Sequence, residues 1–228
     1  MTETGFDYSN LSGRDSGPIV SLASLLLPGV RAVQRQVAPY AHAWEGHNRV
    51  AAAATGPLWV AFGDSMAQGV GASAYDQGWT GHRLSTSLPD HRLVNLSVYG
   101  GRVSDVLERQ LPAMESLGVT PDLVTIIIGS NDLITRRLRP ALPDALAELL
   151  RRVPPGTVIG TQPGGQPASL EFNRQVDEAA AAGRVRIAEF RDRRMRSWRG
   201  KLSRDHFHPN DLGYAGMADI VAEAIARG

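Results

Sequence analysis

Five short apolar runs alternate with longer segments of helical spacing, and this alternation limits the possible folds more than any other feature. Short runs rich in β-branched residues predict buried strands, and the segments between them predict helices. Strand and helix in alternation predict an α/β fold with a doubly wound parallel sheet. The predicted strands are residues 59–62, 92–96, 123–128, 157–160 and 185–190. The predicted helices are residues 78–88, 103–117, 143–153, 170–182 and 211–227.

The size and charge of the chain fit one such domain. A chain of 228 residues is long enough for one well-buried α/β domain and short for two. The net charge of +1 gives no electrostatic reason to expect nucleic acid as a partner. Cysteine is absent, which excludes disulfides, thiolate metal sites and a thiol nucleophile.

Residues 1–55 precede the first strand, and we expect them to pack on a domain formed by residues 56–228. Residues 1–17 are polar and turn-rich and predict a loose arm. Residues 20–54 have a helical pattern, which Pro28-Gly29 and Pro39 are expected to break. A lid or a membrane-surface contact is the alternative use of this segment.

Nothing in the sequence predicts insertion into a membrane. No stretch approaches the roughly 20 apolar residues of a membrane helix. The mostly apolar residues 19–27 lack the basic region that precedes the apolar part of a secretory signal. We therefore expect no stable membrane insertion and a cytoplasmic location.

Ser65 directly follows the first predicted strand. A residue in this position lies at the carboxyl edge of the sheet, where open α/β folds bind their ligands. Small residues on both sides, Gly63, Ala67 and Gly69 among them, allow a tight turn and close approach of a substrate. The alternative is a serine that only caps the following helix.

Three later stretches favour a catalytic role for this serine. With Gly63-Asp64-Ser65, they stand in the order and rough spacing of the four sequence blocks of the SGNH (GDSL-type) hydrolases. The chain therefore resembles this family from Leu58 to its last residue, and Met66 replaces the usual leucine. The resemblance implies a flavodoxin-like α/β/α fold whose five-stranded parallel sheet has the order 2-1-3-4-5. The later stretches are Val98-Tyr99-Gly100-Gly101, Gly129-Ser130-Asn131-Asp132 and Asp205-His206-Phe207-His208-Pro209-Asn210.

A Ser-His-Asp triad can be assigned to these blocks. Ser65 is the candidate nucleophile, and His208 is the candidate base because imidazole titrates near neutral pH. Asp205 would hold the imidazole in the required tautomer. The resemblance further implies an oxyanion hole made by the backbone N–H groups of Ser65 and Gly100 and by the side-chain amide of Asn131.

Each of these blocks also has a purely structural interpretation. Asp205 and His208 could be a surface pair near a helix start, where an acidic residue favours the helix dipole. Asn131 could be a helix cap, and Gly100-Gly101 could be a simple turn. Their joint occurrence in the family order favours the catalytic interpretation.

Residues 184–204 carry nine lysine and arginine side chains and lead directly into the Asp205–His208 block. A solvated surface is the plain interpretation. Attraction of anionic substrates or of an acidic surface is the functional alternative. Trp198, within this segment, could stack on a sugar, cover an acyl chain or anchor the loop.

These observations together predict a serine esterase that hydrolyses short-chain carboxylic esters through an acyl-enzyme. The expected partner is a small-molecule ester. No cofactor or metal is expected, since no ligand cluster such as His-Glu-x-x-His occurs. The alternatives are a carbohydrate O-acetylesterase, a lysophospholipase or thioesterase, and a non-catalytic member that binds a ligand. The sequence does not indicate the oligomeric state.

Overall fold

A five-stranded, all-parallel sheet forms the centre of the protein in a computed structural model that describes residues 6–14, 26–81 and 86–227. The strand order is β2-β1-β3-β4-β5, as predicted, with β1 paired to β2 on one side and to β3 on the other. The strands are β1 Leu58–Gly63, β2 Arg92–Asn95, β3 Leu123–Ile127, β4 Thr157–Gly160 and β5 Val185–Ala188.

Seven helices are described around this sheet. The third is continuous but contains a π-helical turn, Val106–Gln110, between Val103–Asp105 and Leu111–Ser116. Short 3₁₀ turns occur at Tyr75–Gln77, Arg136–Ala141 and Arg193–Met195. No helix in the described ranges is both long and apolar enough to cross a bilayer. The helices are α1 Pro28–Gln34, α2 Val37–Ala53, α3 with its three segments, α4 Ser130–Ile134, α5 Leu142–Arg152, α6 Pro167–Ala181 and α7 Asp211–Ala226.

Two hydrophobic cores, one on each face of the sheet, give the protein its three layers. Successive residues of a strand point to opposite faces, so Val60 and Phe62 enter one core while Trp59 and Ala61 enter the other. The first core is closed by apolar residues of α3, α5 and α6, and the second by α7 and Trp44 of α2. The predicted α/β/α architecture is thus confirmed, and the carboxyl edge of the sheet is free to carry a site.

The helix predicted at residues 78–88 differs from the structure. Residues 78–81 form a turn, only residues 86–87 are helical, and residues 82–85 lie outside the described residues. Trp79 and Thr80 are fully buried, and the Thr80 hydroxyl donates to Ala67 O at 2.7 Å. Tertiary contacts therefore override the local helical pattern.

Of the two helix breaks predicted before residue 55, the one at Pro28-Gly29 agrees with the structure, since Leu27 is extended between helical Leu26 and the start of α1. The break predicted at Pro39 is wrong in position. Pro28 begins α1, and Pro39 lies in the first turn of α2, where the N–H that proline lacks would have no helical partner. The chain instead leaves the helix between Gln34 and Val37. The part of this prediction that concerns residues 20–25 lies outside the described residues.

The prediction of a loose arm is wrong for residues 6–14, whereas residues 1–5 and 15–17 are not described. Asn10 is fully buried, and its amide donates to Asn95 O and Ser97 O at 2.9 and 2.8 Å. Arg109 holds the same stretch by donating to Leu11 O at 3.0 Å and to Ser12 O at 3.1 Å. These polar contacts fix a stretch whose composition alone predicts disorder.

Candidate active site

Ser65 lies two residues beyond β1, in a series of turns that ends at Gly71. No helix follows Ser65 directly, so the alternative of a serine that only caps a helix is wrong. The side-chain amide of Gln110, in the π-helical turn of α3, bonds both the N–H and the C=O of Gly63 at 2.9 Å. One side-chain amide therefore fixes both backbone polar groups of the residue that ends β1, two positions before the serine. Within the described part of the chain, nothing accepts a hydrogen bond from the Ser65 N–H.

The loop before α7 brings His208 and Asp205 to this serine. His208 Nε2 lies 2.9 Å from Ser65 Oγ, and His208 Nδ1 lies 2.6 Å from Asp205 Oδ2. The imidazole and the carboxylate side chains are only 5% and 8% exposed. Asn210 ends the loop by accepting from the Gly213 N–H at 3.1 Å as the N-cap of α7. The side chains therefore form a continuous chain from hydroxyl to imidazole to carboxylate.

The Asp205 carboxylate is positioned to accept a hydrogen bond from the imidazole. Burial alone would raise its pKa, but the hydrogen bond and the charge of His208 act in the opposite direction. The backbone N–H groups of Phe207 and His208 also donate to Asp205 Oδ1, each at 3.0 Å. As a result, the pKa of Asp205 lies below its ordinary value, so the carboxylate is ionised at neutral pH.

Gly71 lets the serine turn and the histidine loop meet. Its φ of +99° is one that L side chains rarely adopt. A Cβ at this position would lie 2.6 Å from Pro209 O and 2.7 Å from the Cβ of His208. Only glycine permits so close a contact beside the imidazole.

The other two blocks lie at the carboxyl ends of β2 and β3. Gly100 has a φ of +66°, and within the described residues its N–H has no hydrogen-bond acceptor. Asn131 Nδ2, in the first turn of α4, lies 2.9 Å from Gly101 O and 3.2 Å from Asp64 Oδ2. The amide of Asn131 thus joins the Gly100 loop to the serine turn, and all four sequence blocks meet at one edge of the sheet.

Comparison with known proteins agrees with this arrangement. Residues 61–215 match the GDSL-like lipase/acylhydrolase family. The chain belongs to that family. The family resemblance inferred from the four blocks is confirmed, and the protein is an SGNH-type ester hydrolase.

Several solved structures share this fold. TesA has 22% identity and a TM-score of 0.63, over 75% of this chain and 98% of TesA. The family 3 carbohydrate esterase of Clostridium thermocellum has 18% identity and a TM-score of 0.57, over 75% and 96% of the two chains. The acetylxylan esterase Axe2 of Geobacillus stearothermophilus has 19% identity and a TM-score of 0.56, over 75% and 94%. A search of curated protein sequences gave no significant match.

Two buried carboxylates of the GDSL blocks lie behind the site and were not assigned a role from the sequence. Burial raises the pKa of Asp64, although the Ser130 hydroxyl donates to it at 2.6 Å and the Met66 N–H at 2.9 Å. Burial likewise raises the pKa of Asp132 to about 6, against the opposing effect of the Val103 N–H. The blocks themselves contain both residues, but only the structure shows their burial.

The raised pKa of Asp132 predicts that its charge costs stability at neutral pH. Between the ordinary value of 3.8 and about 6, the folded protein keeps a proton that the unfolded chain has lost. Stability therefore falls as pH rises through this window, by about 3 kcal/mol in all. We expect Asp132→Asn, which can still accept from the Val103 N–H, to be more stable than wild type by about that amount near pH 7.5 but not near pH 4.

Urea unfolding of both proteins at the two pH values measures this difference. Asp90→Asn is the matched control, since the Asp90 side chain is exposed. If Asp132→Asn changes the free energy of unfolding equally at both pH values, the assigned ionisation is wrong.

Structural contacts account for five of the nine cations in residues 184–204. Arg184 and Arg186 donate to backbone carbonyls between α5 and β4: Arg184 to Val153 O and Arg186 to Gly156 O. Trp198 packs against the second core, which supports the interpretation that it anchors the loop. Three further side chains bond carboxylates or backbone: Arg191 to Glu189 and Asp177, Arg194 to Asp192 and Glu223, and Lys201 to Arg194 O. Arg193, Arg196, Arg199 and Arg204 are exposed.

Two aromatic residues beside His208 were missed by the sequence analysis. The ring of Tyr99 lies 6.2 Å from the imidazole, centroid to centroid, at an interplanar angle of 29°. The ring of Phe207 lies 4.9 Å away, edge-on at 88°. Both residues stand inside the GDSL blocks, next to Gly100 and His208, so their neighbourhood could have been inferred from the sequence but their orientation could not.

Proposed function

We propose that the protein hydrolyses short-chain carboxylic esters through an acyl-enzyme formed on Ser65. The observation that carries this proposal is the chain of contacts from Ser65 Oγ through His208 to Asp205, with distances of 2.9 and 2.6 Å. A serine hydroxyl is a weak nucleophile unless a positioned base accepts its proton, and these contacts provide such a base.

In the proposed acylation step, Ser65 Oγ attacks the ester carbonyl while His208 Nε2 accepts the hydroxyl proton. The proton on His208 Nδ1 stays in its hydrogen bond to Asp205, which stabilises the imidazolium. His208 Nε2 then returns the first proton to the alcohol oxygen as the C–O bond breaks. In the second half of the reaction, His208 Nε2 accepts a proton from water as the water oxygen attacks the acyl carbonyl. It then returns this proton to Ser65 Oγ as the bond between Oγ and the acyl carbon breaks and the acid leaves.

The negative oxygen of the tetrahedral intermediate needs hydrogen-bond donors. We propose that the N–H groups of Ser65 and Gly100 and the amide of Asn131 supply them, since both N–H groups lack acceptors among the described residues. The oxyanion would replace the longer of the two Asn131 contacts, the 3.2 Å contact to Asp64. The proposed chemistry requires no cofactor.

O-acetylated carbohydrate is the second candidate substrate. It is supported by structural neighbours that are named a family 3 carbohydrate esterase and an acetylxylan esterase. Both kinds of substrate would pass through the same acetyl-enzyme, so the proposed mechanism applies to either.

The function is tested with a series of p-nitrophenyl esters from acetyl to palmitoyl and with a fluorophosphonate probe, which reacts with activated serines. We expect hydrolysis to be fastest for the shortest acyl groups and the probe to label wild type but not Ser65→Ala. A preference for long acyl groups would instead indicate a lipase or lysophospholipase. Labelling that is absent, or that survives in Ser65→Ala, would contradict the proposed nucleophile.

A further inference from the structure

Tyr99 lies beside the imidazole that, in the proposed mechanism, gives its proton to the alcohol half of the ester. During acylation the alcohol oxygen takes its proton from His208 Nε2, so it comes within about 3 Å of that atom. The groups attached to the alcohol oxygen must then lie beside the imidazole. The ring of Tyr99 lies 6.2 Å from the imidazole, centroid to centroid, and the residue is partly exposed.

The Tyr99 hydroxyl is held by a residue outside the region that matches the family. Gln34, the last residue of α1, donates from Nε2 to the Tyr99 hydroxyl oxygen at 2.5 Å. Burial raises the pKa of Tyr99 above its ordinary value of 10.0, and the nearby charge of Asp205 adds to this. The phenol is therefore protonated at neutral pH. Because the contact with Gln34 uses only the oxygen as an acceptor, the O–H proton remains available for another acceptor.

The contacts of residues 26–53, here called the N-terminal helices, keep Gln34 in place. The Gln36 side chain accepts from the Gly71 N–H at 2.9 Å and donates to Ala72 O at 3.0 Å. The Tyr40 hydroxyl also donates to Ala72 O, at 2.9 Å. The N-terminal helices are thus attached to the loop that packs directly behind His208.

We propose that Tyr99 is a specificity-determining residue that donates a hydrogen bond to the alcohol half of the ester, and that Gln34 orients it. An aromatic ring that also carries a free O–H donor suits an alcohol that is rich in oxygen acceptors, such as a partly acylated sugar. This inference rests on the proposed esterase function and narrows its substrate class.

Acetyl esters of different alcohols separate this role from a general effect on His208. All of them form the same acetyl-enzyme, so a contact with the alcohol changes acylation only. We expect Tyr99→Phe to lower kcat/KM about fivefold for acetylated xylose and clearly less for ethyl acetate. The rate constant of deacylation, measured from the steady-state rate that follows the burst with p-nitrophenyl acetate, should not change.

Gln34→Leu should give the same selective loss and should add little to it in the Tyr99→Phe background. Non-additivity of this kind is expected when two residues act through one contact. Tyr8→Phe is the matched control, because it removes a tyrosine hydroxyl bond, to Leu96 O, that involves neither Gln34 nor the N-terminal helices. It should not change the ratio between the two acetates.

The outcomes distinguish this inference from the function on which it rests. An equal loss on both acetates, or slower deacylation, would show that Tyr99 only positions His208. An unchanged ratio would show that Tyr99 does not contact the alcohol. Absence of wild-type hydrolysis for every acetate would instead overturn the proposed function. Far-UV circular dichroism and thermal midpoints of the variants exclude misfolding as the cause.

Discussion

Replacing Ser65 by alanine is expected to lower kcat for ester hydrolysis about a million-fold, the scale of loss seen when the nucleophile of a serine hydrolase is removed. The variant loses the oxygen that lies 2.9 Å from His208 Nε2, so no acyl-enzyme can form. The hydroxyl makes no other recorded hydrogen bond among the described residues, and the fold should therefore be retained. Initial rates with p-nitrophenyl acetate at high enzyme concentration measure the residual activity.

A serine that is buried elsewhere provides the control. Ser169 in α6 is 6% exposed and lies in the other half of the chain from Ser65, so Ser169→Ala should keep nearly all activity. Residual activity in Ser65→Ala within about a hundredfold of wild type would mean that another group is the nucleophile, or that water is activated directly.

Replacing Asp205 by asparagine is the second large effect, and we expect kcat/KM to fall roughly ten-thousand-fold at neutral pH. The asparagine oxygen can still accept from the backbone N–H groups of Phe207 and His208, so the loop geometry is preserved. Its NH₂ group, however, can donate to His208 Nδ1 and favour the tautomer with the proton on Nε2. That tautomer cannot accept the proton of Ser65.

Asp211→Asn is the matched control for Asp205→Asn. Asp211 lies three residues after His208, and its carboxylate accepts from the Ser73 N–H at 2.7 Å, a bond that asparagine can also make. We expect less than about a threefold loss in this variant. Similar losses in both variants would assign Asp205 to loop stability and not to control of the imidazole.

The sheet could be predicted from sequence because each strand is a short apolar run with little local ambiguity. The predicted 157–160 strand matches β4, and the predicted end of β3 differs from the structure by one residue. The residues proposed for the site could also be predicted from the sequence, because the carboxyl ends of parallel strands lie at the same edge of the sheet whatever path the intervening chain takes.

The predictions failed where distant contacts decide the local structure. Asn10 is buried because it bonds carbonyls more than 80 positions away, and no local pattern indicates such a partner. The turn at residues 78–81 follows from the burial of Trp79 in the second core. The bond between Gln34 and Tyr99 spans 65 positions and joins two residues with no shared motif.

The paired bonds from Gln110 to Gly63 have a consequence for how the activity of such an enzyme can change during evolution. These bonds fix the backbone just before the proposed nucleophile, and they come from a buried side-chain amide. They do not involve the side chains that would surround the substrate. In the proposed scheme, recognition of the alcohol depends instead on Tyr99 and on Gln34, which lies before the region shared with the family. Mutations in the N-terminal helices could then alter substrate choice while the reactive serine keeps its position, so chemistry and selectivity can diverge separately.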